Sequence, residues 1–502
     1  VTGVQTCALP ICVFCCLLIL ALAASIDCTA DQVKIHVKKM STEYPEEESI
    51  VIKDGQTALW TSPTFVSGEL YEADVCLNRT TNLQYTMTLM DEYGDGWGKG
   101  SYLQIIGAYE NKIFTNWVIS GTMDNYVLSL YNPVEEDATW KVTSGTVTDG
   151  WKTLSFNDGE WTSVALSSPT LETSGAQYFR KTFTGLADLA AFEARFKFQY
   201  GIIAYMNGNE IFRDNMPAGE ASPLTSATGS YITLGYRGVI RNGAEMNGNG
   251  VMAVELHFLS DAPVTSVSFN CWVAQYASTN PDQTAYKCYM TYPEGIDGEG
   301  DEPAVFDFNT GTYYVGMTSD TPTIHFNYAN VRPVVNAVSV ISGVMNNFLP
   351  STLTTSGADL TSSPFTAFIW GTGVTYSADT RIMRYSLFNT NYYKNIQTAM
   401  LSEGNRVWVP ELSYYVCNIV APTSIVMVPA ATEAVVGVTS IEIKPAVGGF
   451  SSCTVTPALP QGLTLNAATC AISGVLAGSF TSATFTISTA AGATPITGTF
   501  SI

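Results

Sequence analysis

Runs of β-branched and aromatic residues, with apolar side chains at roughly alternate positions and polar turns between them, fill almost the whole chain. A period of two sends successive side chains to opposite faces of a sheet, so the pattern predicts half-buried strands and little helix. Its clearest instance lies at residues 201–217, where strand-like runs at 202–206 and 210–213 flank Asn207-Gly208. That pair readily takes the positive φ angles of a type I′ turn, which predicts a two-residue hairpin. Residues 178–183 and 250–257 alternate in the same way and are predicted to flank it as strands. Further strands are predicted at 32–37, 58–60, 83–90, 102–106, 113–119, 126–131, 264–273 and 284–292.

At 502 residues and 54.1 kDa the chain is too long for one core. The fold class predicted is all-β, a tandem array of antiparallel β-sandwich or jelly-roll domains. Boundaries are read at 28–132, 138–261, 262–417 and 421–502, with an acidic, proline-containing linker at 133–137. Residues 13–25 are apolar, short and end in small side chains, the pattern of a secretory signal rather than a membrane span. Residues 1–12 lack both an initiator Met and a basic segment and resemble translated sequencing-adaptor sequence, so 1–25 are set aside from the fold.

Charge narrows the partners. Lys and Arg number 23 against 44 Asp and Glu, a net charge of −21, so nucleic acid is excluded for want of a basic surface. Beyond the leader stand Cys28, Cys76, Cys271, Cys288, Cys417, Cys453 and Cys470. In a secreted chain these are disulfide candidates, and no CxxC pair points to zinc. Proximity in sequence pairs Cys271 with Cys288 and Cys453 with Cys470, with Cys28–Cys76 as the third bridge and Cys417 odd. Asn78-Arg79-Thr80 is a glycosylation sequon.

The candidate chemistry concentrates between the strands predicted at 83–90 and 102–106. Asp91-Glu-Tyr-Gly-Asp-Gly-Trp-Gly-Lys-Gly100 brings carboxylates and aromatic rings into a glycine-rich turn. Asp91, Glu92 and Asp95 form a candidate calcium set, because a hard cation wants several oxygens. Asp91, Tyr93, Asp95 and Trp97 form a candidate sugar-binding ledge, because pyranose faces pack on aromatic rings. The structural alternative is a corner in which Trp97 fills a core edge and the acids cap turn amides. Asp297, Glu299 and Asp301 alternate as in a calcium loop, but the rest of an EF-hand pattern is missing, and a solvated acidic loop is expected there.

Four resemblances add to this reading. Tyr178-Phe-Arg-Lys-Thr-Phe183, the Asn207-Gly208 hairpin, Asn215-Met-Pro217 and Ala253-Val-Glu with His257 resemble the galactose-binding-like jelly-roll domains of secreted and cell-wall proteins. Gln199-Tyr200 stand where that family usually carries two acids, which removes their polar or calcium-supporting role from this copy. On its concave face Trp151, Trp161, Tyr200 and Tyr205 are the aromatics that could meet a glycan, with core packing as the alternative. The loop at 91–97 is similar to a D-x-YGDGW loop of extracellular microbial proteins. Segments at 305–312, 337–341, 384–389 and 407–415 are weakly similar to discoidin-type domains, which implies only a general habit of glycan or lipid-headgroup binding. Residues 457–474 resemble the LPxGLxL…SG signature of the Putative Ig, cadherin-like surface repeat, with Cys470 in place of the usual glycine.

No metalloprotease, nucleophile-elbow, phosphate-loop or dinucleotide motif occurs, and the three histidines, His36, His257 and His325, fall in separate predicted domains. The expectation is a secreted or cell-surface, non-catalytic carbohydrate-binding or adhesion protein whose partners are glycans or extracellular-matrix components. Calcium is the candidate cofactor, and a membrane enters only through an anchor beyond residue 502. The alternatives are the accessory binding region of a larger extracellular enzyme and a structural cell-coat component.

Overall fold

The structure, a computed structural model, describes residues 26–116, 121–166, 176–246, 248–260, 268–278, 287–298, 306, 314–317, 323–341, 352–358, 366–367, 374–375, 382–386, 389, 391–401, 406–409, 411–418, 424–445, 453–467, 470–489 and 496–502. The leader reading at 1–25 lies outside them. Strands account for nearly all regular structure, and the described residues contain no α-helix, only a 3₁₀ turn at Gly243–Met246.

The first unit is a sandwich of two four-stranded antiparallel sheets. Its strands are β1 (Gln32–Ser41), β2 (Glu48–Asp54), β3 (Thr57–Thr61), β4 (Glu69–Asn78), β5 (Gln84–Asp91), β6 (Tyr102–Ile106), β7 (Lys112–Asn116) and β8 (Met123–Ser129). One sheet runs β4-β1-β6-β7 and the other β3-β2-β5-β8. Alternation puts Ile35, Val37, Ile50, Ile52, Met87, Leu89, Leu103 and Ile105 between the sheets, each essentially buried. β2 and β4 were not among the predicted strands. On β4 the outward acids meet bases of β1: His36 lies opposite Asp74 and Lys38 opposite Glu72.

The second unit holds β9 (Thr139–Ser144), β10 (Thr162–Ala165), β11 (Gln177–Thr184), β12 (Ala191–Lys197), β13 (Gly201–Met206), β14 (Asn209–Asp214), β15 (Tyr236–Asn242), β16 (Asn249–His257) and β17 (Asn270–Tyr276). A six-stranded sheet ordered β10-β9-β11-β16-β13-β14 faces β17-β12-β15, extended by a parallel pairing of β15 with Val331–Pro333. The β13–β14 turn is the predicted two-residue hairpin, with Asn207 at φ 52° and Gly208 at φ 89°. Residues 270–276, which the 262–417 reading assigns to the next unit, pair with β12 along its length.

Downstream, Cys288–Met290, Glu411–Cys417, Ala337–Ile341, Ile382–Ser386 and Val374–Thr375 form one five-stranded sheet. Gly295–Gly298, Thr323–Asn327, Asn395–Leu401, Thr352–Ala358 and Thr366–Ala367 form another. The last unit packs a four-stranded against a three-stranded sheet around Ile441, Ile443, Ile472, Phe485 and Ile487.

The bridges are Cys28–Cys76, Cys288–Cys417 and Cys453–Cys470. The second corrects the expected Cys271–Cys288 pairing: Cys288 and Cys417 stand opposite each other on adjacent antiparallel strands, whereas Cys271 is a free, buried thiol on β17 inside the second core. Cys470 takes φ 59°, in the left-handed region that favours glycine.

The first unit is joined to the second and third by shared packing. Tyr109 stacks on Trp272 with centroids 4.9 Å apart, Tyr276 stacks on Tyr289 at 4.2 Å, and the Asn111 amide donates to the Tyr276 hydroxyl at 3.0 Å. The Tyr289 hydroxyl donates to the Lys112 carbonyl at 2.6 Å. These contacts bury the outer face of β12, where Glu193 is held by Arg195 and by the Tyr276 hydroxyl.

Candidate functional site

The glycine-rich loop follows from one carboxylate. Asp91 ends β5 and is 1% exposed; its Oδ1 accepts the Tyr93 and Gly94 amides, each at 3.2 Å, and its Oδ2 the Gly96 amide at 2.5 Å. Wrapping amides around one side chain needs left-handed backbone, which Gly94 and Gly96 supply at φ 88° and 94°. Gly98 serves differently: a Cβ there would lie 2.7 Å from the Thr42 hydroxyl and 2.8 Å from the Glu43 amide, so the loop presses against the β1–β2 turn.

Trp97 points inward. It is 8% exposed, its indole N–H donates to the Met90 carbonyl at 3.3 Å, and the Lys39 ammonium lies 4.1 Å from its ring centroid. A ring buried to this degree, with a cation over one face, is not free to stack on a sugar. Tyr93, by contrast, is 78% exposed on the same loop, and Tyr44 is 63% exposed on the β1–β2 turn.

The cleft between the loop and the β1–β2 turn has a volume of about 160 Å³ and is lined by Tyr44, Glu47, Glu48, Asp91, Asp95 and Trp97, among others. Oxygens of Glu47, Asp91 and Asp95 lie within 4.8 Å of one another. Glu47 therefore stands where the sequence reading put Glu92, whose backbone amide donates instead to the Glu47 carbonyl at 2.9 Å. Partial desolvation, reinforced by the charges of Asp95, Asp91, Glu46 and Glu92, holds the Glu47 carboxyl above the usual carboxylate range. Sequence gave no cue to Glu47, which reaches the loop only through pairing of β2 with β5.

Beneath the cleft is a buried ion pair. Glu48 faces Asp91 across β2 and β5, and its Oε2 receives Lys39 Nζ at 2.5 Å and the Ser41 hydroxyl at 2.6 Å. Lys39 also donates to the Met40 carbonyl at 2.6 Å. Burial lowers the Lys39 pKa to about 8, against the opposing pull of Glu48. Glu48 Oε1 is buried with no hydrogen-bond partner.

The other candidates are placed differently. Trp151 and Tyr205 are each 4% exposed beneath the segment before β10, which the Arg180 side chain pins through the Trp151, Thr153 and Phe156 carbonyls and an ion pair to Asp158 at 2.9 Å. Trp161 packs edge-on to Phe156, and half-buried Tyr200 packs against Phe258. Asn78 is exposed at the end of β4. Asp297 lies within the strand Gly295–Gly298, while 299 and 301 fall outside the described residues. Each histidine is engaged on a strand: His36 with Asp74 at 2.9 Å, His257 donating from Nδ1 to the Thr225 carbonyl at 2.8 Å, and His325 with Gln397 at 2.8 Å.

Residues 418–502 match the family model described as Putative Ig domain. No curated protein matches the chain. Among solved structures, the chain is similar to the family 32 carbohydrate-binding module of C. perfringens NanJ in complex with galactose, at 13% identity over 26% of this chain and 93% of that one, with a TM-score of 0.19. It is also similar to a fucolectin from Morone saxatilis serum, at 9% identity over 56% of this chain and 96% of that one, TM-score 0.20. An α-L-rhamnosidase from Dictyoglumus thermophilum is similar at 10% identity over 77% of this chain and 45% of that one, TM-score 0.18.

Proposed function

We propose that this is a secreted or cell-surface, non-catalytic protein that binds carbohydrate or mediates adhesion, with the rim of the acid-lined cleft as its glycan contact. The observation that carries the reading is exposed Tyr44 lining the cleft beside converging carboxylates, with Tyr93 exposed on the loop that supplies Asp91 and Asp95. Pyranose rings need apolar faces to stack on and acceptors for their hydroxyls, and this rim offers both. Three disulfides favour an oxidising compartment. Among the described residues no helix is long and apolar enough to cross a membrane. Each contact is expected to be weak, with avidity arising when several copies are displayed together.

The test is a glycan array probed with the full chain in calcium-containing buffer, alongside the Tyr44→Ala/Tyr93→Ala variant. Saturable binding to a defined glycan class, weakened at least tenfold in the variant, is the expected outcome. Binding that the variant retains in full removes the rim as the site, and no binding to any glycan leaves the structural-coat role.

A further inference from the structure

We infer that Glu47, Asp91 and Asp95, above the buried Glu48, form a calcium-binding site that fastens the glycine-rich loop to the β1–β2 turn. The inference does not rest on glycan recognition, and its test reads the cation alone. The first observation is convergence: three carboxylates from the β1–β2 turn, the end of β5 and the following loop bring oxygens within 4.8 Å of one another. The second is independent of that cluster. Glu48 is 4% exposed and lines the same cleft, yet only its Oε2 is bonded, to Lys39 and Ser41, while Oε1 is buried without a partner. A buried carboxylate oxygen left unpaired is costly, so native structures nearly always satisfy one. A water on a cation held by Glu47, Asp91 and Asp95 is the partner this oxygen lacks.

Charge and donor type select the ion. Five carboxylates, Glu43, Glu47, Glu48, Asp91 and Asp95, line the cleft against the Lys99 ammonium, with Lys39 paired to Glu48 beneath it, so an excess of negative charge remains. All the donors are oxygens, which excludes the soft-ligand preferences of zinc and copper. They come from turn segments as well as strand ends, an irregular and roomy arrangement that suits the variable six- to eight-fold coordination of calcium better than the strict octahedron of magnesium. The Asp91 side chain is already oriented by three backbone amides, and its Oδ2 takes only one of them, which leaves that oxygen capacity for a metal.

Trp97 lines the cleft and provides a spectroscopic reporter. The full chain, freed of metal with a chelator, is titrated with terbium under tryptophan excitation, and bound terbium is then displaced with calcium or magnesium. Saturable sensitised emission, displaced by calcium at concentrations at least tenfold below those needed for magnesium, is expected. In Glu47→Gln/Asp95→Asn the affinity falls at least tenfold, while the thermal unfolding temperature in chelator does not fall, because neither side chain is part of the core and the change relieves carboxylate repulsion. Absence of saturable emission in the native protein overturns the site, as does a double variant that binds as tightly as the parent. Equal displacement by magnesium overturns the choice of ion.

Discussion

The Lys39–Glu48 pair under the cleft permits a test in which each sign is fixed beforehand. Both side chains are out of solvent, 0% and 2% exposed, and Lys39 Nζ lies 2.5 Å from Glu48 Oε2 and 5.3 Å from the Phe65 centroid. Lys39→Met removes the ammonium and strands a buried carboxylate, at a cost of about 3–5 kcal/mol. Lys39→Met/Glu48→Leu removes both charges and is expected to recover most of that loss, because apolar replacements of buried ion pairs are often neutral or better. The pH dependence follows separately. Lys39 titrates near pH 8 in the folded chain against 10.5 in the absence of burial, so between those values the unfolded state holds a proton that the folded state has released. Stability gained through this group is therefore complete above pH 10.5 and lost as pH falls through about 8, and the difference is about 3 kcal/mol. Because several units are present, the reading must be local: hydrogen exchange at the β1 and β2 amides in chelator, compared between parent and Lys39→Met so that other groups cancel. The stability gap between them should widen from pH 8 to 10.5. A single variant costing less than about 1 kcal/mol, a double variant as damaged as the sum of its parts, or a gap that narrows with pH refutes the reasoning.

Two further outcomes follow from the fold. Cys271 is buried in the second core and unpaired, so among the seven cysteines of the described residues a thiol reagent should modify none in the native chain and one, identified by peptide mapping as Cys271, after unreduced denaturation; labelling at Cys417 instead would contradict the Cys288–Cys417 bridge. Gly208 sits at φ 89°, so Gly208→Ala should destabilise the hairpin by about 1 kcal/mol, read as faster exchange at the β13 and β14 amides, and an unchanged rate would rule out the left-handed turn.

The parts of the fold legible in sequence are those set by neighbours along the chain. Asn207-Gly208 fixes its own backbone, and β13, β14 and β16 show apolar runs that need no partner to be recognised. β12 and β15 were missed for the opposite reason. Glu193, Arg195, Arg237 and Arg241 interrupt their apolar pattern, and Glu193 is buried only because the first unit supplies Tyr276 and its neighbours with a packing surface. The same limit misled the disulfide assignment: closeness in sequence favoured Cys288 with Cys271, whereas sheet register places it against Cys417, at a separation of 129 residues.

The acidic loop marks the same divide within one site. Asp91, Tyr93, Asp95 and Trp97 are contiguous enough for the sequence to single them out, and the glycines among them mark an irregular turn. What each residue does depends on a partner the loop does not contain. Trp97 faces the core because Lys39 of β1 lies over its ring, and Glu47 and Glu48 reach Asp91 because β2 pairs with β5 in a register that sets Glu48 opposite Asp91. A shift of that register by one residue would turn Glu48 outward and bring Glu47 inward, exchanging the buried acid with the rim acid. The cleft is thus a property of sheet pairing, and substitutions that change the β2–β5 register should abolish cation binding even with all four carboxylates retained.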